Sequence, residues 1–99
     1  MSSMYDIQLV KDILQQILDA CNKVIVRFKP IEIVADFTDS SEGMEKLDAI
    51  CMQLIAIGES LKNIDKITQN KLLVSYPEID WKGVKGLRDI ITHQYFDID

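Results

Sequence analysis

Three side chains in the stretch RDIITHQY have the types that phosphoryl chemistry needs: Arg88, His93 and Tyr95, spaced as R-x4-H-x-Y. His93 is the sole histidine of the 99-residue sequence. A histidine ordinarily titrates near pH ~6.5, so it can give or take a proton around neutrality. Arginine stays charged, and its planar fork suits phosphate oxygens, where negative charge gathers during transfer. That pair is the minimum for cleaving RNA without a metal. The histidine would activate a ribose 2′-OH or protonate the departing 5′-oxygen. The plainer reading is the polar end of an ordinary helix. Geometry separates the residues: at about 100° per residue, Tyr95 lies about 20° from Arg88 and His93 about 140° away. All three converge only if the helix ends or bends near Thr92, or if a second copy of the chain supplies one of them.

The elements that must position this stretch are helical. Ile7, Val10, Leu14, Ile17, Cys21, Val24 and Phe28 recur three and four apart, with Ile13, Ala20 and Ile25 widening the stripe. Asp6 can cap this helix and Pro30 stops it. FKPIEIVADFTDSS is then a connection with one short helical turn around residues 31–35. A second long helix starts near residues 39–41, with Glu42 and Glu45 suited to the positive end of its dipole. Its apolar line is Met44, Leu47, Cys51, Leu54, Gly58 and Leu61, and Ile50, Ile57 and Ile64 form a second line beside it. Gly58 costs about 1 kcal/mol against alanine inside a helix, and close approach of another backbone is the expected compensation. Glu59 follows it beside the apolar face, either as a partly exposed helix glutamate or as a buried carboxylate awaiting a cation. If buried, it would orient Arg88 from the facing helix. A short helix is expected around residues 67–74, ended by Tyr76-Pro77. Asp80 caps the next start, with Gly83 and Gly86 weakening its first turns. With no alternating strand pattern, the fold class is all-α, an antiparallel bundle of two long helices and one or two shorter ones. Its core is expected to be thin.

Composition narrows the classes further. Net charge is −5, which argues against a general nucleic-acid coat protein. The charge is uneven, however. Residues 62–88 hold Lys62, Lys66, Lys71, Lys82, Lys85 and Arg88 against Asp65, Glu78 and Asp80, a balance of +3. This basic excess runs up to the motif and ends there, which makes Lys82 and Lys85 candidate RNA contacts. A merely solvated face is the alternative. No Cys/His cluster suits zinc and no glycine loop suits a nucleotide phosphate, so no metal and no cofactor are expected. Cys21 and Cys51 lie inside periodic apolar segments and read as buried, reduced thiols. No apolar run is long enough to span a membrane and the N-terminal residues do not form a signal peptide. A cytoplasmic location and no membrane partner are expected.

R-x4-H-x-Y, together with IAIGESLKNI at 55–64 and YPEIDWKGVKGLRDIITHQYFDID at 76–99, resembles the HEPN superfamily, and within it the HepT-like toxins. The resemblance covers the whole chain. It implies a four- or five-helix bundle that forms a homodimer, with the motif facing a cleft between protomers. It implies a metal-independent endoribonuclease acting on RNA, with Arg88 and His93 catalytic and Asp89 supporting the site. It further implies a type VII toxin–antitoxin pair, in which a minimal nucleotidyltransferase antitoxin neutralises the toxin by adenylylating Tyr95. The added bulk and negative charge would exclude an RNA phosphate. The family continues past YFDID into another helix, so a C-terminal helix is expected to be missing from this sequence. The competing reading is a non-catalytic helical module that docks a nucleotidyltransferase or holds its substrate. The balance of −5 leans that way, and the two differ in whether RNA is cut.

Overall fold

The structure is a computed structural model that describes residues 5–94. Among them the chain is all-α, with helices α1 (Ile7–Phe28), α2 (Ala35–Thr38), α3 (Ser41–Thr68), α4 (Trp81–Lys85) and α5 (Leu87–Gln94), and a 3₁₀ turn at Leu73–Ser75. The helix boundaries follow from local chemistry. The Asp6 carboxylate accepts from the Leu9 N–H at 3.0 Å and opens α1. Ser40 Oγ accepts from the Gly43 N–H at 2.9 Å and opens α3. The Thr68 hydroxyl, fully buried, donates to the Ile64 carbonyl at 2.8 Å in the last turn of α3. Gln69 then enters the left-handed region at φ 55° and ends the helix.

α3 is the spine, and every other helix rests on it. α1 runs antiparallel to it: Ile13 packs with Ile57, Leu61 and Ile64, whereas Val24 packs with Leu47 and Ile50. Ile64 is completely buried, which stabilises by about 1.5–3 kcal/mol. Phe37 of α2 joins Leu47 and Ile50 in a second cluster near the start of α3. The molecule is 57 Å long and 23 × 20 Å across, with a radius of gyration of 15.8 Å. A compact chain of this length has about 13 Å, so the core is thin, as expected.

Several expectations change. The turn expected at residues 31–35 forms later, as α2, because the Asp36 carboxylate folds back to accept from the Glu32 and Ile33 N–H groups at 2.8 and 3.2 Å. The short helix expected at 67–74 does not form. α3 takes residues to Thr68, and the left-handed pair Gln69 and Asn70 breaks the path before Leu73. The α1 stripe is also split. Val10 and Ile13 are buried, but Ile7, Leu14, Ile25 and Phe28 are exposed, since only one helix, α3, lies along α1. Cys21 and Cys51 are free thiols but only half-buried. Burial, then the nearby Asp48 carboxylate, pushes the Cys51 thiol up.

Candidate active site

Arg88 and His93 of the motif sit on α5, and α5 is placed by α4. Asp80 caps α4 by accepting from the Gly83 N–H at 3.1 Å, and the Trp81 indole N–H donates to the Tyr76 carbonyl at 2.9 Å. The α4 backbone then presses on α3 at Gly58. A methyl group added there would lie 2.8 Å from the Val84 carbonyl oxygen, which is the close approach expected for that glycine. Gly86 interrupts the helix for one residue between α4 and α5.

From that joint α5 returns along α3 in the opposite direction. Lys85 forms an ion pair with Asp65, and both side chains are largely buried. Arg88 Nη1 lies 3.6 Å from Glu59 Oε1, and Ile91 shares a pocket wall with Asp48, Cys51, Met52 and Ile55. Glu59 also holds Lys62, whose Nζ lies 2.9 Å from Oε2. The Lys62 ammonium, and secondarily Arg88, hold the Glu59 carboxyl below its ordinary range against the opposing effect of desolvation. The structure therefore brings Glu59 and Arg88 together. It does so in an exposed pair, since 43% of the Glu59 side chain and 61% of the Arg88 side chain remain accessible. A buried carboxylate is not what orients the arginine.

Asp89 and His93 are exposed on the same helix. Four residues apart, they share a face within about 40°, while His93 stands about 140° from Arg88. α5 continues as regular helix through Gln94, so no bend near Thr92 turns His93 towards Arg88. Tyr95 lies outside the described residues. Lys82 and Lys85 both line a groove between α4 and the end of α3, but the Lys85 ammonium is engaged by Asp65. Sequence reading missed that pair. Asp65 and Lys85 belong to different elements, and no periodicity links them. Among the described residues no three His, Cys, Asp or Glu side chains gather as metal ligands, and no helix is long and apolar enough to cross a membrane.

Residues 17–99 match the family model described as "Ribonuclease HepT-like". The chain is 33% identical over 90 residues to "Putative RNase MJ1380" of Methanocaldococcus jannaschii, covering 91% of this chain and 75% of that one. It is 31% identical over 86 residues to "Putative RNase TTE0752" of Caldanaerobacter subterraneus subsp. tengcongensis, covering 87% and 70%. Over 51 residues it is 41% identical to "Putative RNase MJ0127" of M. jannaschii, 52% of this chain and only 39% of that relative. No solved structure matches the chain.

Proposed function

The chain belongs to the HepT-like ribonuclease family, and from that premise we propose that it is a metal-independent endoribonuclease whose working groups are Arg88 and His93. The observation that supports this most directly is the placement of α5. It presents an arginine and the only histidine, both solvent-accessible, on one short helix whose arginine is steadied by Glu59. His93 takes the proton of a ribose 2′-OH, whose oxygen attacks the adjacent phosphorus. The P–O5′ bond breaks, the 5′-oxygen receives a proton, and a 2′,3′-cyclic phosphate and a free 5′-hydroxyl result. Arg88 compensates the charge that builds on the non-bridging oxygens. Glu59 positions the guanidinium, and Asp89, one helical turn before His93, supports the histidine side of the site.

The straight run of α5 favours a site shared across a two-fold axis. The groups that diverge on one helix can converge when two copies of the helix face each other. Each protomer then contributes one histidine, so that one acts as base while the other acts as acid. Regulation is assigned to Tyr95. A minimal nucleotidyltransferase antitoxin transfers AMP to it. The phenol oxygen attacks the α-phosphorus of ATP, pyrophosphate leaves and the phenolic proton is released. The resulting phosphodiester repels an RNA phosphate from Arg88.

The test is cleavage of RNA by the purified chain in chelator, compared with His93→Ala and Arg88→Ala. Scission by the parent alone, with all three equally helical, is the expected result. Equal scission by all three would defeat the assignment, and partner binding without any scission would favour a non-catalytic module. Intact mass after co-expression with a nucleotidyltransferase reads the modification, with one or more AMP units gained by the parent and none by Tyr95→Phe.

A further inference from the structure

Beside the Arg88–Glu59 pair, a groove of about 640 Å³ opens between the last turns of α3 and the start of α4. Lys62, Asp65 and Lys66 of α3 line it together with Lys82 and Lys85 of α4 and Asp89 of α5. Asp65 is spent on Lys85 and Lys62 leans on Glu59. Lys66 and Lys82 make no ion pair among the described residues, and Asp89 is the one lining carboxylate outside those pairs. The end of the α3 dipole accounts for Lys66. Lys82 lies with Lys85 in the five-residue α4 and is exposed. Two exposed ammonium groups lining one groove, neither in an ion pair among the described residues, give it a positive surface that can attract an anion, and the groove is of the size that holds a ligand.

Two further features say which kind of anion. Among the described residues no aromatic side chain lines the groove as a platform for base stacking, whereas Gln69 and Asn70, which also line it, supply amide donors. Asp89 lines the groove, and His93 follows one turn later on the same face of α5. The groove therefore leads towards the group that moves the proton. We propose that Lys66 and Lys82 hold the sugar–phosphate backbone of the RNA strand flanking the scissile bond, without reading its bases. The choice of RNA rests on the ribonuclease reading above. Lys85, spent on Asp65, is a structural residue of this groove rather than a phosphate contact.

Binding and cutting are tested separately. A labelled strand of about 20 nucleotides with 2′-O-methyl sugars cannot be cleaved through its 2′ oxygens, so its binding is read alone, by anisotropy, between about 50 and 200 mM salt. Lys66→Ala/Lys82→Ala is expected to bind roughly tenfold more weakly, with a salt slope shallower by about 1.4, since each single-strand phosphate contact contributes about 0.7. Lys11→Ala/Lys23→Ala, which removes the same charge from α1, is expected to leave the slope nearly unchanged. Equal loss in both pairs, no loss in the groove pair, or no binding by the parent overturns the groove. Scission of an unmodified tetranucleotide by the parent judges the active site independently. A parent that cuts it while the groove pair binds the long strand normally keeps its site and loses its groove. A parent that cuts nothing yet binds through Lys66 and Lys82 does the reverse.

Discussion

Two short helical pieces rest on α3, one near each end, and they are held by different forces. α2 is wedged in place. Phe37 is buried among Leu47 and Ile50, and a methyl group on Gly43 would run into the carbonyl oxygens of Asp36 and Phe37, 2.5 Å from the latter. The α4–α5 piece buries none of its residues. It is seated by one backbone contact at Gly58, by half-buried Trp81 and Val84, and by the pairs Lys85–Asp65 and Arg88–Glu59. The α2 segment is fixed by burial and close fit, and the segment that carries Arg88 and His93 by a backbone contact, half-buried side chains and two ion pairs, one of them exposed.

The strongest contrast concerns activity against stability. His93→Ala should lower RNA cleavage about 10²–10⁴-fold while shifting a urea melt by no more than about 0.5 kcal/mol, because the side chain is exposed. A matched loss of stability would mean that the two ends are not separable in this way. Next come the glycines. Gly58→Ala and Gly43→Ala should each cost about 1–3 kcal/mol in a urea melt, since backbone rather than a pliable side chain blocks the added methyl. Only Gly58→Ala should also depress the cleavage rate of the folded fraction, by moving the base of α4. Equal rates in the two variants would break the comparison. A smaller effect, about 1 kcal/mol, is expected for Lys85→Ala, which strands a partly buried Asp65 carboxylate. Its loss should register in the melt rather than in the salt slope of RNA binding.

The finest test uses two carboxylates whose acidity is lowered for different reasons. Backbone N–H groups of Glu32 and Ile33 hold Asp36 down, whereas Lys62, then Arg88, hold Glu59 down. Both are more acidic in the fold than in the unfolded chain. Their stabilisation is therefore complete above the unfolded values, near the ordinary 3.8 and 4.5, and is lost as pH falls below that range through the folded values. Melting temperature should drop across that acidic window and stay level above it on their account. Carboxyl NMR titrations at low and high salt should show Glu59 moving back towards its ordinary value and Asp36 hardly moving, because screening weakens ion pairs more than local hydrogen bonds. An Asp36 as salt-sensitive as Glu59 would remove the distinction.

Much of this was legible in the sequence, for identifiable reasons. Apolar spacing marked both long helices, and Asp6, Asp80 and the Ser40 region marked three of the starts, because capping is a local matter of a few residues. Gly58 could be read because a glycine on an apolar line has few other uses. What escaped depended on pairings between distant segments. The spacing of the α1 stripe could not say which of its residues would meet α3, so Leu14 was expected inside and lies 40% exposed. The end of α3 was misjudged because an unusual backbone at Gln69 and Asn70, not a proline or glycine, ends the helix. Within the candidate site, Arg88, His93 and Glu59 were readable from residue type and family likeness. That Glu59 would meet Arg88 at the surface, and that Asp65 would take Lys85, depended on how two helices dock.

The role of α3 as the shared support has a consequence for order of assembly. A chain leaves the ribosome from its N-terminus, so α1 and α2 emerge before the helix they need, and the cluster of Phe37 with Leu47 and Ile50 is available before the later part of α3, which ends at residue 68. α4 and α5 emerge after it and dock onto a support already in place. Both walls of the lysine groove, and the Glu59–Arg88 pair, thus come together only once α4 and α5 have docked. Until then the lysines of α3 and those of α4 lie on separate stretches of chain, and the groove between them does not exist.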